Sequence, residues 1–425
     1  MHAVGLAELA EISHRIALAI VEASGVDCSS VALDMTSFAT FVDTASERAP
    51  IAQRGKARQK LTDLRLAGLG LVVTRDGGIP MTWHACPGDK PDVTQFPAMI
   101  DALAGRHEAI CAASGQAAAD VTVVFDAGQN PAANFAHLAG TRLHYVGSVP
   151  ASDCADLTEL PASARAVVDE DRFGGLTAYD TRREVYGTER RTIPTYSPEL
   201  HAAQAAGFTG TTLAKAGRKL DELAATLARG KTRRSRAKVE AEIGTILHDT
   251  RARRVITWQM DGGTPRDHRL TWHIDPGARA ALEEEIFGKH VLITDHDDWP
   301  AAEVIAGYRS QSEAEFSFRQ MKDPRAVSFS PMFHWTEHNI RVHVLTCVLA
   351  LQIAHLLRLK AERAGLHMSV RELLRELASI GETVLIYPTE RGRPKARRML
   401  TETTASQDKL IQIFQLNRHA PSVRS

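Results

Sequence analysis

Three acids in this chain stand where phosphate chemistry could use them. Asp34 closes the short apolar run Val31-Ala32-Leu33, and Asp126 directly follows the β-branched run Val121 to Phe125. An apolar run ending in an acid is expected where a core strand carries a carboxylate to the working edge of a sheet. Glu315, Arg319 and Lys322 stand at i, i+4 and i+7, so a helix presents them as a single acidic and basic stripe. Such a stripe suits metal-bound phosphate chemistry, with carboxylate oxygens for the cation and ammonium or guanidinium groups for the phosphate. Each feature alone has a plainer reading. The stripe alone is a solvated helix face, and a single Asp is a turn or helix-cap residue.

The three together carry more than each alone. The stretch Tyr308 to Lys322, YRSQSEAEFSFRQMK, resembles the Tyr, Arg, Glu, Lys signature of the family-4 group of bacterial insertion-sequence transposases. Tyr308, Glu315 and Lys322 fit its spacing; Gln311 stands where the family has arginine, with Arg309 close by. The Asp34-Met35-Thr36-Ser37 segment is similar to the setting of the family's first aspartate. Asp126-Ala127-Gly128 with Asn134 downstream is similar to that of the second. The likeness extends through Pro87-Gly88-Asp89 with Asp92, a structural turn, and through His334-Trp335-Thr336-Glu337 into Ile340 to Val344. The resemblance implies an Asp-Asp-Glu metal triad made of Asp34, Asp126 and Glu315, with Tyr308 and Lys322 holding a phosphate of the transposon end. Arg319 is added to that set because it shares their helical face.

Such a site needs a sheet to carry it. Gly70 to Thr74 and Met81 to Cys86 read as strands joined by a turn with Asp-Gly and Gly-Gly signals at Asp76-Gly77-Gly78. A helix is predicted from about Pro97 to Ala113, then the Asp126 strand, a helix from about Pro131 to Ala139 and a strand from Leu143 to Gly147. Three strands in a meander, then helix, strand, helix, strand, is the ribonuclease H-like order. The expected fold is therefore α/β, a mixed sheet flanked by helices and interrupted by an inserted helix-plus-strand domain before the last catalytic helix.

From Ser197 the pattern turns helical, with apolar stripes at Leu220, Leu223, Ala224, Leu227 and at Val239, Ile243, Ile246, Leu247. Strands are predicted at Arg254 to Trp258, Leu270 to Ile274 and His290 to Thr294. The expected division is a helical N-terminal remnant over 1–30, a first core part over 31–150, an insertion over 151–289, a second core part over 290–365, and a C-terminal helix with a basic tail over 366–425. Only about thirty residues precede Asp34, where the family usually has a larger end-recognition region, so the chain reads as a truncated or misannotated copy.

Composition sets wider bounds. With 51 Lys and Arg against 51 Asp and Glu the chain has no formal net charge, so bulk charge gives no support for nucleic-acid binding. Local charge differs: Arg229 to Lys238 holds six basic residues and no acid, and Arg391 to Arg398 holds five. These runs are solvated surface or phosphate-binding surface, the second reading singling out Arg233, Arg234 and Arg236. Five scattered cysteines without paired spacing indicate neither a zinc knuckle nor a disulfide framework and fit a reducing cytoplasm. The apolar stretch from Val344 to Leu357 contains Gln352 and His355, which favours a buried helix over a membrane span.

The expectation is a DDE transposase that cleaves insertion-sequence ends and transfers the strand, using two Mg²⁺ (or Mn²⁺) ions held by Asp34, Asp126 and Glu315. Its partners would be double-stranded DNA, both transposon ends and target, and a second copy of itself in a synaptic complex, in the cytoplasm or on the nucleoid. The alternatives are a non-catalytic remnant that binds DNA as a regulator, and a ribonuclease H-like nuclease without strand transfer.

Overall fold

The computed structural model describes residues 5–43, 45–55, 64–114, 120–231, 233–387 and 395–419. It divides into two compact units, one made of Met1–Gly147 and Ala306–Ser425, the other of Ser148–Ile305. Of the second basic run, Arg391 to Pro394 lie outside the described residues.

The first unit opens with helix α1 (Leu6–Ser24), then strands β1 (Ser30–Thr40), β2 (Arg65–Thr74) and β3 (Pro80–Pro87), helix α2 (Asp92–Ser114), β4 (Thr122–Phe125), α3 (Ala132–Ala139) and β5 (His144–Val149). Strand order is β3-β2-β1-β4-β5. The first three pair antiparallel, and β1–β4 and β4–β5 pair parallel. This is the ribonuclease H-like arrangement. β1 is central because its N-terminal half, Ser30 to Leu33, is buried on both faces.

Helix α2 starts five residues before the predicted Pro97, which sits inside it. Proline has no N–H to donate to the carbonyl four residues back, here that of Val93. The buried Asn134 side chain supplies the missing donor: its Nδ2 lies 3.1 Å from the Val93 oxygen and 3.0 Å from that of Gln129. The break expected of an internal proline is thereby repaired from a neighbouring helix.

The second unit contains the one-turn helices α4 (Ala155–Thr158) and α5 (Glu170–Phe173), with strands β6 (Ala166–Val167), β7 (Thr177–Ala178), β8 (Thr181–Val185) and β9 (Thr188–Tyr196). Helices α6 (Pro198–Gly207) and α7 (Ala214–Ala228) follow, joined by a π-helical turn, then α8 (Arg236–Ile246) and α9 (Thr250–Val255). The hairpin β10 (Ile256–Asp261) and β11 (Arg269–Ile274), α10 (Pro276–Ile286) and β12 (Lys289–Thr294) complete it. The predicted strand at Arg254 begins two residues later, because Asp249 caps α9 by accepting from Arg251 and Ala252 N–H groups and carries the helix through Val255. β12 pairs with β9, which also pairs with β7 and β8. The hairpin packs on α7, where the Trp272 ring lies over Gly217 and its Nε1 donates to Asp221 at 2.9 Å.

The chain returns to the first unit through α11 (Ala301–Arg309), α12 (Gln311–Lys322) and the long α13 (Glu337–Arg363). It ends with α14 (Val370–Ala378), the hairpin β13 (Glu382–Tyr387) and β14 (Lys395–Leu400), and α15 (Ala405–Phe414). The C-terminal segment thus holds two helices and a hairpin where a single helix was expected. Helix α13 is long and apolar enough to cross a membrane by length and composition, yet 44% of that window is buried in the protein. Its polar residues explain why. Gln352 Nε2 donates to the Pro80 carbonyl at 2.7 Å and His355 Nδ1 to that of Gly78 at 2.7 Å. Gly77 and Gly78 both hold positive φ in the β2–β3 turn, a conformation that favours glycine. Beside it Ala17, Ile20, Val26, Ile79, Met81, Ile110 and Leu359 form one cluster, so α1 is part of this unit's core. Burial of each larger side chain there is worth roughly 1.5–3 kcal/mol.

His355 is fully buried, and burial pulls its pKa from 6.5 to about 4. The unfolded chain protonates this ring below about pH 6.5 and the folded chain resists until about 4. Stability is therefore expected to fall as pH drops through that window, by on the order of 3 kcal/mol from this ring. Glu313, pushed up by burial, acts in the opposite sense as its carboxyl takes up a proton above 4.5. Denaturant titrations at pH 6.5 and 4.5 should show a smaller stability difference for His355→Gln than for the parent. Equal differences would remove His355 from this account.

Candidate active site

The β1–β4 register places the two aspartates side by side. Ser30, Val31 and Ala32 pair with Thr122, Val123 and Val124, and two residues further on Asp34 comes level with Asp126. Asp126 keeps extended backbone, φ −87° and ψ 164°, so the strand direction holds to that point. Neighbouring strands are about 4.8 Å apart. Residues level with one another on parallel strands point to the same face. Asp34 is half-buried and its Oδ1 accepts from the Met35 N–H at 2.8 Å; Asp126 is exposed and caps the following 3₁₀ turn, accepting from the Ala127 N–H at 2.7 Å.

The third acid reaches the same face from α12. Alternation along β1 puts Asp34, Thr36 and Phe38 on one side and Met35 on the other. Met35 packs with Met99 of α2 beneath Gly70. The Asp34 side belongs to α12: Lys322 Nζ donates to Thr36 Oγ1 at 2.9 Å and lies 5.5 Å from the centre of the Phe38 ring. Phe38 in turn stacks on Phe329 at 3.8 Å. At the other end of the helix, Gln311 Nε2 donates to the Leu33 carbonyl at 2.9 Å. These two anchors lay α12 along β1, Gln311 before Asp34 and Lys322 beyond it.

At about 100° per residue, Gln311, Glu315, Arg319 and Lys322 fall within roughly 80° of one another. Glu315 therefore lies on the anchored flank, about 6 Å along the axis from Gln311 and abreast of Asp34. The opposite flank is fixed elsewhere. Ser317 donates to the Gly78 carbonyl at 3.2 Å, and Arg358 of α13 donates to Glu313 at 3.3 Å and to the Gly77 carbonyl at 3.0 Å. Ala314, Phe318 and Met321 form the buried strip between the flanks.

Asp34, Asp126 and Glu315 thus share one face of the sheet. Their oxygens do not all close to within 4.8 Å of one another, so the acids stand as an open set. Three hard carboxylate donors on one face have the chemistry that suits a divalent cation such as Mg²⁺.

Other expected site residues are placed differently. The stretch Tyr308 to Lys322 is two helices and not one: α11 ends at Arg309, and Ser310 turns back to donate its Oγ to the Gly307 carbonyl at 2.6 Å. Tyr308 is half-buried at the end of the first, while Glu315, Arg319 and Lys322 ride on the second. Arg319 is exposed with its guanidinium 5.8 Å from the centre of the Phe316 ring. Arg233, Arg234 and Arg236 belong to the other unit and are exposed. The run they occupy holds no acid of its own, but α8 supplies two: Arg234 pairs with Glu242, and Arg236 lies 3.7 Å from Glu240.

Sequence reasoning missed Thr36 and Gln311 as the contacts that seat α12, and Asn134 as the partner of Val93. The Thr two residues after Asp34 carried a usable signal, because alternation puts it on the same face. His343 on α13 has Nε2 2.9 Å from the Phe329 carbonyl and a pKa pulled down by burial.

No protein-family model and no curated protein matches the chain. Among solved structures, a piggyBac transposase in a synaptic complex with hairpin DNA is similar over 93% of this chain and 55% of that one, with a TM-score of 0.38 and 6% identity. The chain thus spans about half the length of that protein. At this level the likeness carries no argument about chemistry.

Proposed function

We propose that this chain is a DDE transposase catalytic core, acting on double-stranded DNA at the ends of an insertion sequence. The observation that supports it is Asp34 and Asp126 level on adjacent parallel strands, with Glu315 on a helix pinned across the same face by Gln311 and Lys322. Asp34, Asp126 and Glu315 would hold two Mg²⁺ or Mn²⁺ ions. Bound there, such ions supply Lewis acidity that lowers the pKa of an attacking water or hydroxyl and offsets charge on the leaving oxygen.

The chain's own residues do the rest. Asp34 and Asp126 fix one side of the reaction centre because both ride on core strands, and Glu315 closes it from α12. Lys322, exposed beyond Glu315, and Arg319 beside it offer positive charge to a backbone phosphate, with Tyr308 near the start of the same segment. In the first step water displaces the 3′ oxygen of one nucleotide from phosphorus. In the second the freed 3′ hydroxyl displaces a 3′ oxygen in target DNA, so one phosphodiester forms for each one broken. Two copies of the chain would bring two transposon ends together.

The test incubates the chain with Mg²⁺ or Mn²⁺, a duplex taken from the DNA flanking its reading frame and ending in a 3′ hydroxyl, and a supercoiled target plasmid. Joined product supports the transposase. Cutting without joining would make it a nuclease, and binding without either would make it a regulator.

Arg233, Arg234 and Arg236 would add backbone contacts from the second unit, partly offset by Glu240 and Glu242. Changing the three together to Gln is expected to weaken DNA binding uniformly across sequences and to reduce the slope of log K against log salt by about 0.9 for each phosphate no longer neutralised. Fluorescence anisotropy at several salt concentrations measures both. An unchanged slope would return the segment to solvated surface.

A further inference from the structure

Helix α1 lies against the edge strand β3 and against α2, and a cavity of about 710 Å³ opens among them. Its wall is apolar along Leu6, Leu9 and Ala10 and acidic at Glu11, with Trp83 and His84 from β3 and Arg106 from α2. This volume suits a small ligand. The polar chemistry converges on Ser13, which is buried: its Oγ accepts from Trp83 Nε1 at 3.1 Å and from Arg106 Nη2 at 3.4 Å. A serine hydroxyl has two acceptor sites and one donor. With both acceptor sites taken, the hydroxyl hydrogen is left to donate.

Arg106 is the cation left over in this region. Arg15 pairs with Glu11 at 2.6 Å and Arg341 with Glu337 at 2.7 Å, so their charges cancel. Among the described residues no carboxylate pairs with Arg106, and its Nη1 is buried without a hydrogen-bond partner. Burial works against its charged form, and Glu11 offsets that only in part. A guanidinium does not shed its proton in a protein, so half-buried Arg106 keeps a charge that its surroundings offset only in part. The fork geometry of guanidinium, with a serine donor beside it, matches the oxygens of a phosphate.

We propose that the cavity between α1, β3 and α2 is a phosphate-binding site, anchored by Arg106 and Ser13, with Trp83 and the apolar α1 residues flanking the group that carries the phosphate. It lies on the edge strand β3 and uses none of the acids of the candidate active site. The phosphate could come from a small phosphate ester or from a DNA backbone, and the two sources can be told apart.

Isothermal titration and thermal unfolding of the full chain, with inorganic phosphate, a deoxynucleoside monophosphate and sodium acetate, test this. Saturable stabilisation is expected with the two phosphates and not with acetate. Arg106→Gln should lose the response. Ser13→Ala should weaken binding about tenfold, the effect of losing one hydrogen bond to a charged group, and exposed Arg218→Gln, in the other unit, should change nothing. Competition by a short duplex assigns the site to DNA; titration unaffected by duplex assigns it to a free ester. No saturable response in the parent, or an undiminished response in both Arg106→Gln and Ser13→Ala, overturns the proposal.

Discussion

Glu315→Gln is expected to cut metal-dependent DNA cleavage by about three orders of magnitude while leaving DNA binding intact. The substitution keeps the size and hydrogen bonding of the side chain and removes one carboxylate from the face shared with Asp34 and Asp126, where its charge would oppose that of the cation. Lys322→Ala should behave differently, losing about 10- to 100-fold in DNA affinity with the removal of a charge-assisted contact. Because Lys322 also donates to Thr36, part of that loss belongs to the seating of α12. Thr36→Val separates the two effects: it removes the anchor and keeps the charge. Gel shift and cleavage on the same DNA read both quantities. Parent-like cleavage by Glu315→Gln would defeat the DDE reading.

Gly88→Ala is expected to destabilise the first unit by about 3 kcal/mol or more, the range of severe overpacking against rigid neighbours. A Cβ at Gly88 would stand 2.0 Å from the Leu66 carbonyl oxygen and 2.3 Å from its carbon. Both are backbone atoms, and Leu66 is itself held by a reciprocal pair of hydrogen bonds to Gln53, at 2.9 and 2.7 Å. Backbone atoms held in this way cannot turn aside as the end of a side chain can. Gly105, inside α2 with no atom within 4 Å of its would-be Cβ, is the matched comparison: Gly105→Ala should stabilise by about 0.5–1 kcal/mol. Chemical denaturation of both variants decides the matter. A Gly88→Ala protein as stable as the parent would show that the Pro87-Gly88-Asp89 turn is not constrained by packing.

Much of the first unit could be read from the sequence because its strands are apolar on the faces they bury. Val31 to Leu33 and Val121 to Phe125 announce themselves without an alignment, and the turn at Gly77-Gly78 marks the hairpin between β2 and β3. The polar strands were missed. β8 is Thr-Arg-Arg-Glu-Val and β9 opens Thr-Glu-Arg-Arg, stretches whose charges read as loop when no core face is in view. The break at Ser310 was invisible for another reason: its backbone stays in the right-handed helical region, φ −65° and ψ −13°, so helical spacing runs on across it. The acids of the candidate site were legible as types in settings. What seats them was not, since the contacts of Gln311 with Leu33 and of Lys322 with Thr36 span 278 and 286 positions, and local pattern says nothing about which side chain meets which strand.

Pro97 and Asn134 are bound together by one carbonyl. Since Asn134 gives Val93 the donor that proline cannot and also grips Gln129 in the turn after Asp126, the two positions form an epistatic pair. Losing Asn134 would be costly with proline at 97 and milder with alanine there, whose own N–H would refill the helix. Asn134 thus ties the helix to the loop that follows Asp126, and a variant that restores an N–H at position 97 would alter the tolerance of position 134 to change without touching it.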